Sequence, residues 1–255
     1  MANIPLIRRN GMREGSARAL DLPPPFRLVA LREAGDAALH ASRHAGELGA
    51  GTLVFVGRFD LAEFAVVLEP EEPLAAARPV FYAGMTALAD ALAALAPPET
   101  PIAIDWPDAV AIDGGLVGGG RLAWPEGATE SAVPEWLVFG AAIRIVSMGR
   151  DGPGLHPLST ALADEGFGEI GAERLVEGFA RHLMVALDRW QEGAFAPLAA
   201  EYLAKLRPEP GARRSIEAKG DLLIERIGKP AERRQLRLAL AAPSWLDPQT
   251  GGPRL

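Results

Sequence analysis

The stretch "IDWPDAVAIDGGLVGGGRLAWPEG" (residues 104–127) decides the fold. Asp113, Gly114 and Gly115 join two apolar runs, and a run of three glycines then precedes Arg121. Glycine supplies the positive φ that tight hairpin turns require, so this spacing predicts a β-hairpin. The apolar runs "IAIDW" and "WLVFGAAIRI" on either side extend the hairpin to four strands with short connections. Such an order favours an antiparallel or mixed sheet over an alternation of strands and helices.

Apolar residues elsewhere recur with the periods of buried strands and of helices. "TLVFV" and "EFAVVLEP" read as strands because β-branched and aromatic residues dominate them. Apolar spacings of three and four residues predict helices that cover the sheet. The strand segments are residues 52–56 and 63–70, and the helical segments are residues 35–48, 72–95 and 171–191. Pro79 marks the beginning of the second helix or a kink in it. The sequence therefore predicts an α+β fold, a mixed β-sheet flanked by helices.

The ends of the chain differ from its body. Residues 1–20 have no hydrophobic period and predict a flexible N-terminal tail. Residues 21–207 contain the predicted sheet and helices, and "RPEPG" (207–211) reads as a break. Residues 208–255 form a predicted small C-terminal domain with a short strand pair around Gly220 and Asp221.

Composition restricts the class of protein. The chain has 255 residues, 49% of them hydrophobic, and no cysteine, which excludes disulfides and fits a reducing cytoplasm. No apolar run is long enough for a membrane helix, so no membrane partner is expected. The net charge is −12 over residues 1–204 and +5 from Lys205 onward. This balance argues against nucleic acid binding by the body, and the basic end suits self-docking, an acidic partner or a merely solvated edge. A homodimer is left open.

Two features of the opening stretch are candidates for ligand binding. The glycine run leaves room for a ligand to lie against the backbone of Gly118, Gly119 and Gly120. A β-bulge or a close crossing of two strands also requires residues without side chains. Trp106 has the ring to pack on a ring-shaped ligand, and it serves equally well as a core tryptophan.

Charged residues near predicted strand ends are further candidates. Asp108 can hold a metal ion or an amine, or it can stabilise a turn. Arg58 can contact a carboxylate or phosphate of a ligand, or it can pair with a nearby acid such as Asp60. His40 and His44 have the spacing of a metal pair, but no third ligand is evident and no metal site is predicted.

The motifs resemble those of the biotin and lipoate protein ligases. Biotin protein ligases carry Lys-Trp-Pro-Asn-Asp, a hairpin, Lys-Leu-Ala-Gly-Ile-Leu and an apolar strand. Here these become "DWPDA" (105–109), "GLVGGG" (115–120) and "LVFGAAIRI" (137–145), and the likeness runs from about residue 26 to 206. The stretches "FDLAEFAVVLEPEEPL" and "GGLVGGGRL" resemble those of the uncharacterised ligase-like proteins of this family. The resemblance implies a sheet like that of the class II synthetase-related ligases.

The resemblance also implies a reaction. Family members adenylate biotin, lipoate or octanoate with ATP and Mg²⁺ and transfer the acyl group to a lysine of an acidic carrier domain. Together with the residues chosen above, the candidate ligand-binding residues are Arg58, Asp60, Trp106, Asp108, Gly118, Gly119, Gly120 and Arg121.

The sequence departs from the family where the reaction needs positive charge. The arginine-rich glycine loop is reduced to "GRFD" (57–60), and Gly115 replaces the hairpin lysine. Asp105 stands where the family has a lysine, and Glu33, Ala34 and Gly35 replace a Ser-Thr-Asn that holds biotin. The cysteine-dependent octanoyl transfer route is closed because the chain has no cysteine.

The sequence therefore fits two functions. The first is a small-carboxylate ligase that still forms an acyl adenylate with Arg58, Arg121 and Mg²⁺. The second is a catalytically degenerate protein of the same fold that binds a ligand or a carrier domain.

Overall fold

The computed structural model describes residues 20–32, 35–148, 158–191 and 195–255. The described residues do not include the predicted N-terminal tail up to residue 19. They also do not include Glu33 and Ala34, which stand where the family has its biotin-holding motif. The strands are β1 (Arg27–Leu31), β2 (Thr52–Gly57), β3 (Leu61–Leu68), β4 (Ile102–Asp105), β5 (Ala109–Ile112), β6 (Gly115–Ala123), β7 (Leu137–Arg144), β8 (Ala212–Ile216), β9 (Leu222–Arg226) and β10 (Glu232–Arg234). The helices are α1 (Ala37–Leu48), α2 (Leu74–Ala77), α3 (Val80–Ala93), α4 (Ala172–Gln191), α5 (Phe195–Lys205) and α6 (Leu236–Leu240).

The main sheet has seven strands in the order β1-β2-β3-β7-β6-β5-β4. β1 pairs with β2 in parallel, and every other neighbouring pair in this sheet is antiparallel. The prediction of a mixed sheet flanked by helices is confirmed. The central strand, β7, is the last of the seven in the chain, and it joins the β1–β3 half to the β4–β6 half.

One face of the sheet carries the larger core. α3 and α4 pack on it. The centroid of the Phe179 ring lies 4.6 Å from that of Phe64, which is tilted to it, and 5.6 Å from that of Phe139, on which it stacks. The break at Pro79 falls where the sequence predicts it, because proline lacks the N–H that a continuous helix needs. α2 therefore ends before Pro79, and α3 begins after it.

The opposite face, which we call the α1 face, is covered only in part. α1 packs on it through alanines, including Ala38 and Ala41. Gly140 of β7 lies directly beneath Ala38, and a Cβ at Gly140 would come within 2.6 Å of the Ala38 Cβ. Small residues on both sides thus let α1 approach the sheet closely.

A small antiparallel sheet of order β10-β9-β8 follows the body. The predicted strand pair around Gly220 and Asp221 is confirmed as the β8–β9 hairpin. Tyr82 of α3 connects the two parts, because its hydroxyl donates to the Gly220 carbonyl at 2.6 Å. The same hydroxyl accepts from Trp106 Nε1 at 3.1 Å. Burial raises the pKa of Tyr82, so the hydroxyl keeps its proton for this bond.

Replacing Tyr82 tests this connection. We expect Tyr82→Phe to lower the free energy of unfolding by about 1–3 kcal/mol, because a buried carbonyl and an indole N–H both lose their partner. Thr86→Val, one turn later on α3, is the matched control. The Thr86 hydroxyl is buried without a hydrogen-bond partner, so its removal should not destabilise the protein. Chemical denaturation of both variants measures the difference, and equal stabilities would contradict the role given to Tyr82.

Candidate functional site

The centre of the α1 face is a row of residues across neighbouring strands. Glu63 of β3 pairs with Ala142 of β7, Ala142 with Gly119 of β6, and Gly119 with Ala109 of β5. The row combines a buried acid with two alanines and a glycine. It therefore forms a flat floor on which few side chains protrude.

The three consecutive glycines have three different neighbours. Gly118 has φ +152° beside a register shift in the β5–β6 pairing, and a Cβ there would overlap the carbonyl oxygen of Ala142. Gly120 faces the larger core on the opposite side, toward Met85 and Phe139. Gly119 faces the α1 side, where an added Cβ would overlap the carbonyl oxygen of Asp108. The bulge and close strand contact therefore account for Gly118 and contribute at Gly119, and the ligand-binding role of the run stays a prediction.

A tryptophan from the end of the chain lies on this floor. Trp245 is 1% exposed and packs with Leu61, Ala109 and Ala142. A Cβ at Gly119 would overlap its indole ring. The Trp245 Nε1 donates to the Gly120 carbonyl at 2.9 Å. The indole thus covers the position where the sequence predicts a ligand.

Asp108 anchors the residue before this tryptophan. Its carboxylate is fully buried and accepts from the Ser244 backbone N–H at 2.9 Å and from the Ser244 hydroxyl at 2.6 Å. Burial raises the pKa of Asp108, and the hydrogen bonds from Ser244 oppose that rise. Neither the metal nor the turn interpretation anticipates this contact, which joins positions 136 apart in the chain.

Arg144, at the end of β7, holds the other end of the same segment. Its Nη2 donates to the Pro253 carbonyl at 2.7 Å and to the Arg254 carbonyl at 3.2 Å, and its Nη1 donates to Thr160 at 3.3 Å. Burial lowers the pKa of Arg144. We call residues 244–254 the C-terminal segment. It lies across the α1 face between Asp108 and Arg144.

The two arginines that the sequence predicts at the site are each engaged with an acid. Arg58 forms a bidentate pair with Asp60, at 3.0 and 2.7 Å, which raises the pKa of Arg58 and lowers that of Asp60. Arg121 pairs with Asp36, whose carboxylate also accepts from the Leu39 N–H and caps α1. The structure therefore brings Arg58 and Asp60 together, as one alternative predicts.

Trp106 lies apart from the α1 face. It packs against the larger core and lines a groove of about 200 Å³ together with Asp105 and Arg207, which pair at 2.6 and 2.9 Å. The core interpretation of Trp106 fits this position better than contact with a ligand on the glycines.

The two histidines with metal spacing are neighbours on α1. The rings of His40 and His44 have centroids 4.7 Å apart and are tilted by 39°. Across the described ranges, no three His, Asp or Glu side chains come together in a way that could hold a metal ion. In the same part of the chain, no helix is long and apolar enough to cross a membrane.

Glu63 is a site residue that the sequence reasoning does not identify. It is 5% exposed in the middle of an apolar strand, and its Oε1 accepts from the Ala37 N–H at the first turn of α1, at 2.9 Å. Burial raises the pKa of Glu63. An acid inside "LAEFAVV" is the signal that could have identified it, because buried carboxylates need a specific partner.

The raised pKa of Glu63 predicts a pH-dependent stability difference. A carboxyl with a raised folded-state pKa favours folding below its unfolded pKa, and this stability is lost as the pH rises through the folded value. Glu63→Gln keeps the shape and the acceptor oxygen but removes the buried charge. We expect it to exceed the wild type by about 1 kcal/mol at about pH 8, and by less at about pH 5. Urea denaturation at both pH values measures this, with exposed Glu47→Gln as control. A difference that does not change with pH would contradict the interpretation.

The seven-stranded mixed sheet with its flanking helices is the α+β fold that the sequence motifs predict. The sequence profile of the Biotin/lipoate A/B protein ligase family matches residues 22–204, and the chain belongs to this family. No curated protein matches the chain.

Solved structures give the same class. A biotin protein ligase-like protein of unknown function from Silicibacter sp. TM1040 is 29% identical, with a TM-score of 0.75 over 87% of this chain and 99% of that one. The Aquifex aeolicus biotin protein ligase in complex with biotin and ATP is 15% identical, with a TM-score of 0.60 over 82% and 99%. Apo Aquifex aeolicus biotin protein ligase is 16% identical, with a TM-score of 0.61 over 82% and 99%. The similarity to the two Aquifex aeolicus structures establishes the fold alone.

Proposed function

We propose that this protein is a binding member of the ligase family that takes a biotin-, lipoate- or octanoate-type carboxylate on the α1 face and does not adenylate it. The observation that carries this proposal is the engagement of every arginine at the site. Arg58 is paired with Asp60, Arg121 with Asp36, and Arg144 with backbone carbonyls. Each of these three guanidinium groups therefore already has a partner.

The charge balance separates binding a carboxylate from activating it. One arginine that exchanges its present partner, such as Arg121 leaving Asp36, can meet a single ligand carboxylate. A triphosphate carries several negative charges that need preorganised cations in the transition state. The site instead places Asp60, Glu63 and Asp36 beside these arginines. Its charges therefore suit a single carboxylate and oppose ATP and its Mg²⁺-dependent chemistry.

A carrier domain is the macromolecular partner that fits this proposal. Carrier domains of the family are acidic, and the basic end of the chain, +5 from Lys205 onward, complements such a surface. A protein that binds both the free acid and its carrier without joining them would act as a sensor or a delivery partner.

The test combines binding with a search for the adenylate. The purified protein is titrated with biotin, lipoate and octanoate by calorimetry, and it is incubated with Mg²⁺-ATP and each acid for mass spectrometry. We expect one acid to bind and no acyl adenylate to form. Arg121→Ala should weaken binding of that acid, and Arg181→Ala, in a surface pair with Asp21, serves as the control.

Two outcomes contradict the proposal in different ways. An acyl adenylate would show that the chain is an active ligase, which is the competing enzyme hypothesis. Failure of a folded sample to bind any of the three acids would exclude them as ligands.

A further inference from the structure

The C-terminal segment behaves as a unit folded on itself. The Arg254 N–H donates to the Trp245 carbonyl at 2.8 Å, and Leu246 pairs with Pro253. Inside this loop, the Asp247 carboxylate accepts from the Gln249 N–H at 2.9 Å, and the Gly251 N–H donates to the Asp247 carbonyl at 2.8 Å. Such internal bonds persist when the segment leaves the sheet, so it can move without unfolding the strands beneath it.

Among the described residues, few groups attach it to the body. The polar contacts are those of Ser244 with Asp108, of Trp245 with Gly120, and of Arg144 with the Pro253 and Arg254 carbonyls. Trp245 provides the main apolar contact, and Leu246 packs beside it.

Burial of the two charged anchors lowers the cost of release. Asp108 and Arg144 are both buried, and burial disfavours the charged form of each. Opening the segment returns both groups to water and recovers part of their desolvation cost. Release therefore exchanges buried contacts for solvation of two charges.

The Trp245 side chain resembles a ring-bearing ligand in its shape and in its hydrogen bond. It lays a flat, fused ring on Gly119, with apolar neighbours at Leu61 and Ala142, and gives one N–H to the Gly120 carbonyl. A ligand with a ring and an N–H donor would use the same surface and the same acceptor.

We infer that the C-terminal segment is a competitor in cis, which occupies the ring position of the α1 face and must be displaced before a ligand enters. This inference rests on the proposed ligand-binding function. When only a fraction of the molecules is open, the apparent dissociation constant equals the intrinsic constant divided by that fraction. Weakening the attachment of the segment therefore tightens ligand binding.

One deletion, two point variants and one control variant separate the contributions. Deletion of residues 244–255 should bind the acid at least tenfold more tightly than the wild type. Trp245→Ala should approach the deletion, and Ser244→Ala, which removes one hydrogen bond, should tighten binding about fivefold. Gln249→Ala, an exposed position in the same segment, should leave the affinity unchanged. Circular dichroism confirms that each variant is folded, and the two point variants keep the test valid if the deletion does not fold.

Indole is a second probe that does not depend on the identity of the ligand. Folded Trp245→Ala should bind indole in calorimetry, because the vacated floor keeps its acceptor at Gly120. The wild type should not, because its own indole fills the position.

The outcomes separate this inference from the proposed function. Acid binding that is equal in the wild type and the deletion overturns the competition in cis and leaves the proposed function standing. Indole binding by Trp245→Ala, with no variant binding any of the three acids, supports occupancy of the floor while the proposed function fails. Folded Trp245→Ala that does not bind indole overturns the inference.

Discussion

Gly118→Ala should cost more than about 4 kcal/mol of the free energy of unfolding and leave little soluble protein. The backbone of Gly118 has φ +152°, and a Cβ there would overlap the carbonyl oxygen of Ala142 on the central strand. A backbone atom cannot move aside as a flexible side chain can, so β6 and β7 would have to separate at the middle of the sheet.

Gly114→Ala is the matched control for Gly118→Ala. Gly114 also has a positive φ, +86°, but nothing lies within 4 Å of an added Cβ. It should lose only about 1–2 kcal/mol from the left-handed backbone conformation. Thermal unfolding of both variants measures the difference. Similar losses would show that backbone conformation, and not close strand contact, explains the need for glycine at 118.

Phe139→Ala should be the second large loss, at about 3–5 kcal/mol. Phe139 is 1% exposed on the central strand, with Phe81 and Phe179 rings at 5.9 and 5.6 Å. Its ring also fills the space that Gly84 of α3 and Gly120 of β6 leave open. Truncation removes the ring that these two glycines accommodate and leaves a cavity between helix and sheet.

A double-mutant cycle with Gly84 tests this packing. Gly84→Ala alone should destabilise the protein by about 1–3 kcal/mol, because the added Cβ overlaps the Phe139 ring. In the Phe139→Ala background the same change should become neutral or stabilising, because alanine is the better helix former. Gly178→Ala on α4 is the control, since its Cβ would make only an ordinary contact at 3.6 Å with Ala91. An additive cycle, measured by chemical denaturation, would contradict a contact between Gly84 and Phe139.

Local patterns predicted much of this fold. The Asp113-Gly114-Gly115 turn, the proline break before α3 and the period of α4 are encoded within a few residues each, so turn chemistry and hydrophobic spacing suffice to find them. β1 was missed, because "RLVAL" follows three prolines and is a half-exposed edge strand whose only partner is β2.

The candidate site was harder to predict because its contacts are distant in the chain. The glycine run and Asp108 stand out in the sequence as unusual residues, but their neighbours in the structure are Ala142, Trp245 and Ser244. The stretch "PSWLDPQTGGPRL" has no hydrophobic period, so the sequence predicts an irregular chain end there. In the structure, however, Trp245 is buried. The role of such a segment depends on the surface that it meets, and no local rule describes that surface.

The position of β7 at the centre of the sheet has a consequence for synthesis of the protein. During translation, β1–β3 and β4–β6 can each form from neighbouring segments as the nascent chain leaves the ribosome. Until Leu137–Arg144 emerges, β3 and β6 both have an unpaired edge, because each later pairs with β7. Open edges of apolar strands are templates for self-association. A chain that stalls before β7 should therefore be the species that chaperones must hold.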